Sequence, residues 1–335
     1  MGEQMAKYLF VGGTDGNTGP SNVNKGIVAN LASNFYVADS KNKVAKYWSA
    51  LINTFRCEVV VVSGMSKVGV YAIKLAKLLN KKTIYIMHGC YEIETGLNEA
   101  VADANSVQME QYILRSVDLL LPVSERYSQL IQKKYSFCKG KTAYLHNGVE
   151  KVKLNFSENN REKGRIIAVG GDRKLKNNIA VANAVAKLDD SKKLMVYGHL
   201  YHPDNLPKGN NIEFKGLVSQ EQLYKEMSQS ELFVLNSTLE SFGLTVFDAL
   251  QCGCSVLISN AAGALDILNV TEHDVIYDPM NENEIAEKID YLLQHPNNER
   301  LMENLDFDKI SYKAEVERLE QFCKKLSEKQ ELIKR

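Results

Sequence analysis

The 335-residue chain has no net charge, because 41 Lys and Arg balance 41 Asp and Glu. Without a global field nothing gathers nucleic acid or an anionic surface, and any basic attraction has to be local. Long apolar runs are missing as well. No stretch approaches the roughly 18 consecutive apolar residues of a membrane-spanning helix. The N-terminus lacks the charged-then-apolar order of a secretory signal and runs straight into the strand-like Tyr8-Leu9-Phe10-Val11. Cysteines are few and scattered, at Cys57, Cys90, Cys138, Cys252, Cys254 and Cys323. That spread suits reduced cytosolic thiols rather than a disulfide framework. Cys252-Gly253-Cys254 leaves one residue between its thiols, whereas tetrahedral zinc pairs use two or more. These absences argue against a spanning protein, a disulfide scaffold and a nucleic-acid partner, and lead us to expect a cytoplasmic protein.

What is present is a repeated alternation of short apolar runs, glycine-rich or polar corners, and longer amphipathic segments. Runs at 7–11, 59–63, 83–87 and 119–123 are apolar on successive residues, as strands buried on both faces are. Helix-compatible stretches follow at 21–32 and 68–79, and Ser124-Glu125 can open another by capping. The polar stretch 149–164 reads as a linker. Beyond it the series restarts, with strands expected at 165–169, 193–197, 232–235 and 255–259, and helices at 177–188, 220–227, 245–251, 284–294 and 311–331. The fold class expected is α/β, with two Rossmann-like domains. The first is residues 1–150 plus the C-terminal helix about 311–335, which crosses back to it; the second is residues 151–310. Two such halves imply a cleft with functional residues in strand-to-helix loops.

The strongest local signal is the run from Asn236 to Gly253, which includes Glu240-Ser241-Phe242-Gly243-Leu244. A polar loop there follows a strand, and a helix starts near Leu244. Helix N-termini offer unpaired amides and partial positive charge to phosphates or sugar hydroxyls. Asp248 falls one turn into that helix, so Glu240 and Asp248 can address one ligand. Taken singly, the two acids are better explained as a solvated loop acid and a partner of the helix dipole.

The whole string resembles the retaining GT-B glycosyltransferases, family GT4 (glycosyl transferases group 1). Ser237, Glu240, Phe242, Gly243, Leu244, Ala249 and Gly253 stand in register with that family's phrase, and Asp248 replaces its second Glu. The resemblance implies that Glu240 contacts the donor sugar and Asp248 the ribose, with the amides of Phe242, Gly243 and Leu244 on the sugar and distal phosphate. His146-Asn147-Gly148-Val149 looks like the phrase closing the family's first domain. Val169-Gly170-Gly171-Asp172-Arg173 with Lys176 resembles the loop whose basic pair neutralises the donor diphosphate. Leu217 and Val218 fall where the family cradles the nucleobase. Gly13 and Gly16 lie in a loop the family places over the donor phosphates, although Gly12-Gly13 is out of register for G-x-G-x-x-G and a plain turn explains it as well. His88 follows a strand end where family members carry a histidine facing the donor sugar. A lone histidine there is otherwise a structural residue.

The function expected is transfer of a sugar, with retention, from a nucleotide diphosphate sugar (UDP-sugar) to a hydroxyl of a glycan or lipid-linked glycan. Catalytic residues are expected to be Glu240, His88, Arg173 and Lys176, with no metal or other cofactor. A nucleotide-sugar epimerase and a non-catalytic nucleotide-sugar-binding protein are the alternatives. Asp306-Phe307-Asp308 has a D-x-D form but is read as a capping segment. Between Lys41 and Phe55, Lys41, Lys43 and Lys46 accompany Tyr47, Trp48, Leu51 and Ile52. This stretch is either an amphipathic helix packed on the sheet or a peripheral contact with the inner face of the plasma membrane.

Overall fold

Runs such as Val59-Val60-Val61-Val62 have no polar side, so they are stable only with a layer on each face. The computed structural model describes residues 7–16, 18–38, 42–152, 161–207 and 209–328, and there these runs are central parallel strands. Among the described residues the chain divides into two compact units. One is Met1–Ile93 with Val101–Glu150 and Phe307–Arg335; the other is Glu94–Ala100 with Lys151–Asp306. The short stretch Glu94–Ala100, expected in the first domain, therefore belongs to the second unit.

The first unit holds β1 (Tyr8–Gly12), α1 (Gly19–Asn30), β2 (Phe35–Val37), α2 (Lys43–Arg56), β3 (Val59–Ser63), α3 (Lys67–Leu78) and β4 (Lys82–Met87). α4 (Tyr91–Leu97) starts in this unit and ends in the other, after which α5 (Ala104–Ser116), β5 (Leu119–Pro122) and α6 (Glu125–Lys134) return to it. Its sheet order is β2-β1-β3-β4-β5, all parallel. Helices begin where a side-chain oxygen meets a free amide: Thr18, Ser66, Asp103 and Ser124 each accept from the third residue onward.

The second unit holds β6 (Arg165–Val169), α7 (Asn178–Val185), β7 (Lys193–Tyr197), β8 (Ile212–Gly216), α8 (Gln220–Ser228), β9 (Leu232–Leu235), α9 (Leu244–Gln251), β10 (Ser255–Ser259), β11 (Val275–Ile276), α10 (Glu282–Gln294) and α11 (Asn298–Glu303). Its strands are also parallel, in the order β11-β10-β9-β6-β7-β8. Ile166, Ala168, Val181, Val185, Val196 and Ile289 belong to the core that joins α7 and α10 to one sheet face. All six cysteines are buried and free. Half of the expected linker, residues 153–160, lies outside the described residues.

The last helix, α12 (Tyr312–Ser327), packs on α1. It starts on the hydroxyl of Ser311, which accepts from Ala314, so neither aspartate of Asp306-Phe307-Asp308 is its cap. Tyr312 sets two glycines of the first unit. A Cβ at Gly26 would stand 2.4 Å from the Tyr312 ring, and one at Gly148 2.4 Å from its Cα. The Val149 amide then bonds the Ile310 carbonyl at 2.8 Å, so the Asn147-Gly148-Val149 phrase is the seat of the returning helix. We expect Gly148→Ala to destabilise the first unit by about 1–3 kcal/mol, the usual cost of overpacking. Urea unfolding followed by Trp48 fluorescence measures it.

Candidate active site

The site is built first in the second unit, at the carboxyl end of β9. The loop there is tied by its backbone. The Glu240 amide bonds the Ala261 carbonyl at 3.3 Å, and the Gly263 and Ala264 amides bond the carbonyls of Glu240 and Phe242 at 3.0 and 2.6 Å. Phe242 is buried and stacks on Phe247, with ring centroids 5.6 Å apart. Gly243 is the N-cap residue of α9 with φ +99°, and a Cβ there would stand 3.3 Å from Glu240 Cγ. Glycine at this position allows both the left-handed turn and the nearby carboxylate. Gly243 and Leu244 open the helix, where no preceding turn supplies carbonyl partners for their amides.

The loop after β6 is fixed against β7. The amides of Gly170 and Gly171 both bond the Tyr197 carbonyl, at 2.7 and 2.9 Å. Buried Asp172 accepts the amides of Tyr201 and His202 at 2.7 and 2.6 Å. A Cβ on Gly170 would come within 2.5 Å of Lys176 Cγ, so the bare glycine lets the lysine stem cross the backbone. Lys176 there forms an ion pair with Glu240, each side chain only 15% exposed, and the Ser237 hydroxyl lies 3.4 Å from the same carboxylate oxygen. The Arg173 side chain is exposed and makes no hydrogen bond or ion pair among the described residues, while its carbonyl accepts the amides of Lys176 and Asn177. An anchored carboxylate, a mostly buried ammonium, an exposed guanidinium and helix-start amides thus occupy one end of one sheet, a set able to hold an anion beside a hydroxylated group.

Asp248 lies in the first turns of α9, half-exposed, with the Tyr224 hydroxyl 3.4 Å from its Oδ1. Gln220 donates to that phenol at 2.6 Å. Burial, then the charge of Asp248, pushes the Tyr224 phenol well above its usual range. Leu217 and Val218 are exposed between β8 and α8, and Val218 lines a cavity of about 400 Å³ with Tyr197, Lys215 and Gln222. Tyr224 carries no local motif and meets Asp248 only through the fold, whereas Ser237, the first position of the family phrase, lies beside Glu240.

In the first unit, His88 stands just beyond β4. Its Nε2 lies 2.8 Å from the hydroxyl of Ser63, the last residue of β3, which in turn donates to Asn24 Oδ1 at 2.6 Å. Asn24 Nδ2 donates to the Gly13 carbonyl at 2.9 Å. Gly13 has open space where a Cβ would go, whereas a Cβ at Gly16 would strike the Ser21 hydroxyl. Neither residue has a positive φ, so glycine gives room beside Ser21 at residue 16, while at residue 13 neither space nor backbone conformation demands it. Burial lowers the His88 imidazole to about 4, with Asn147 opposing. Its folded pKa is thus below the unfolded value of roughly 6.5. The unfolded chain therefore takes up the proton first, and stability present at neutral pH is lost as pH falls from 6.5 toward 4. We expect wild type to lose roughly 2 kcal/mol more than His88→Gln between pH 7 and pH 5, read from urea midpoints at the two pH values.

Two parallel-sheet α/β units with a polar, cation-bearing strand end define the class, and comparison with known proteins supplies the family. Over 96% of its length the chain superimposes on HepE of Anabaena, solved with UDP and glucose, covering all of that structure at a TM-score of 0.68 and 13% identity. Sucrose-phosphate synthase of Thermosynechococcus elongatus matches over 97% of the chain and all of its own length, at 0.68 and 15%. The fold is thus that of the GT-B glycosyltransferases. Residues 150–306 match the family model described as Glycosyl transferases group 1. That match identifies residues 150–306 as a domain similar to those of the group 1 glycosyltransferases. A curated relative of Campylobacter jejuni is N-acetylgalactosamine-N,N'-diacetylbacillosaminyl-diphospho-undecaprenol 4-alpha-N-acetylgalactosaminyltransferase. It is 27% identical over 53% of this chain, and the match spans 51% of that protein's length. Mannosylfructose-phosphate synthase of Agrobacterium fabrum is 23% identical over 49% of the chain and 35% of its own length.

Proposed function

We propose that the chain is a retaining glycosyltransferase that moves a sugar from a nucleotide diphosphate sugar, a UDP-sugar in our reading, to a hydroxyl of a glycan or lipid-linked glycan. The observation that carries this is the Lys176–Glu240 ion pair at the head of α9. Donor binding inserts the diphosphate at Lys176 and Arg173, which draws the ammonium off Glu240 and leaves the carboxylate to accept from sugar hydroxyls. Asp248 holds the ribose, Leu217 and Val218 flank the base, and the amides of Phe242, Gly243 and Leu244 receive the sugar and distal phosphate. Gly13 and Gly16 cover the phosphates, and His88 meets the sugar.

In the reaction, the bond from anomeric carbon to phosphate oxygen breaks and a bond to the acceptor oxygen forms on the same face. The acceptor proton passes to the leaving phosphate oxygen. The two cations stabilise the charge that develops there, and no metal is required in this scheme. Incubation with UDP-, GDP- and ADP-sugars, following nucleotide release with and without membrane extract, tests it. Acceptor-dependent release is the expected result. Conversion of the donor without release indicates an epimerase, and binding without turnover a non-catalytic binder.

A lipid-linked acceptor requires access to a membrane surface, and the name of the Campylobacter relative, which includes diphospho-undecaprenol, supports that class. Lys41 lies outside the described residues, but α2 presents Val44, Trp48, Ile52 and Phe55 exposed at helical spacing, while Ala50 and Thr54 are buried on its other side. Tyr47 instead packs edge-on against Tyr71 at 5.4 Å. The helix therefore packs on the domain and still shows an apolar stripe, which we propose rests on the anionic inner leaflet of the plasma membrane, a cytoplasmic setting. Wild type should float with anionic liposomes and a Trp48→Ser, Phe55→Ser variant should not; a protein that stays in the pellet fraction removes the proposal.

A further inference from the structure

The hydrogen bonds around His88 admit one arrangement of protons. A backbone carbonyl only accepts, so the Asn24 group facing Gly13 O, at 2.9 Å, must be the amide nitrogen. The Asn24 oxygen then faces the Ser63 hydroxyl at 2.6 Å and, being only an acceptor, takes the hydroxyl proton. Ser63 Oγ has no second proton, so across its 2.8 Å contact with His88 Nε2 it can only accept. Nε2 must therefore carry hydrogen. Reversing any link sets two acceptors against each other: if Ser63 donated to His88, two bare oxygens would meet at Asn24, and turning the amide would put its oxygen on the Gly13 carbonyl. Asn24 and Ser63 are 2% and 3% exposed, so water does not relieve either conflict.

We propose that Asn24 and Ser63 are positioning residues that hold His88 as the Nε2–H tautomer and couple its ring to the Gly13 loop. The lone pair is then left on Nδ1, which is buried and meets no partner at full hydrogen-bond geometry among the described residues, although the Asn147 side chain is near enough to the ring to raise its basicity. Such a ring accepts from a sugar hydroxyl and donates nothing to a phosphate through that nitrogen. Its low basicity keeps it uncharged at neutral pH, so His88 is neither a cation for the diphosphate nor a general acid. Gly12 leaves room for this arrangement, because a Cβ there would stand 2.7 Å from the Phe10 ring and 3.0 Å from Asn24 Nδ2. The chain of bonds joins the loop after β1, the end of β3 and the residue after β4 through α1. Its functional meaning rests on the proposed place of His88 at the sugar.

The test is a long-range proton–nitrogen correlation spectrum of the labelled full chain at pH 7 without substrate, with the His88 signals assigned by their loss in His88→Gln. Wild type should show an unprotonated Nδ1 and a protonated Nε2. Ser63→Ala should replace this with a mixture of tautomers, and Ser63→Thr, which keeps the hydroxyl, should preserve it. A protonated Nδ1 in wild type overturns the proposal with no variant needed, as does a Ser63→Ala spectrum identical to wild type. If the spectra behave as expected while His88→Ala transfers sugar at the wild-type rate, the tautomer assignment stands and the role of His88 at the donor falls.

Discussion

Glu240→Ala is expected to lose sugar transfer by on the order of 10²–10³-fold, the size found for removing one preorganised polar group at a site of developing charge. The protein should remain folded. Backbone bonds to Ala261 and from Gly263 hold the loop whatever side chain residue 240 carries, and buried Phe242 on Phe247 anchors its far end. The lysine left behind has a flexible four-carbon stem that can swing its ammonium toward water. Transfer assays beside circular dichroism and a melting curve separate the two effects. Wild-type turnover in a folded Glu240→Ala protein would show that the acid belongs to the loop's structure alone.

The second large effect is on stability, and it runs in an asymmetric cycle. Lys176→Ala leaves Glu240 as a mostly buried carboxylate with only the Ser237 hydroxyl near one oxygen. The carboxylate stem is short and its backbone is pinned, so it cannot follow water as the lysine can. Breaking a fully buried pair costs 3–5 kcal/mol; with 15% of each side chain still exposed, about 2 kcal/mol is expected. The double variant Lys176→Met, Glu240→Gln removes both charges at similar volume and should unfold near the wild-type denaturant midpoint, with transfer still lost. Non-additivity of this kind marks a true partner pair. If the double variant is as unstable as the sum of its singles, the ion pair contributes nothing of its own. The same cycle bears on mechanism, because donor affinity should fall in Lys176→Ala although the sugar acid is untouched.

What could be read from the chain, and what could not, divides along physical lines. Arg165–Val169, Lys193–Tyr197, Leu232–Leu235 and Ser255–Ser259 fall where their consecutive apolar residues placed them, since doubly covered strands write their burial into adjacent positions. The edge strand Ile212–Gly216 alternates more and less buried residues, and its polar members break the consecutive apolar run that marks the other strands. Phe35–Val37 and Val275–Ile276 are too short to leave a pattern, and α5 carries too many polar residues to show a clear apolar stripe. The Glu240 loop was legible because strand, turn and helix start are contiguous. Its pairing with Lys176, 64 residues earlier in the chain, depends on β6 lying beside β9, which no local pattern states. The Asn24–Ser63–His88 relay spans three elements and is invisible for the same reason. Asp306-Phe307-Asp308 shows the reverse failure, a motif with the form of a cap where Ser311 does the capping.

The measurement that bears most directly on the central claim is a crystal structure with a nucleoside diphosphate bound. The account predicts the diphosphate within hydrogen-bond distance of both Arg173 and Lys176, the Lys176–Glu240 pair opened, and the ribose hydroxyls on Asp248 beside Tyr224. A nucleotide bound elsewhere, with Lys176 still on Glu240, would contradict it.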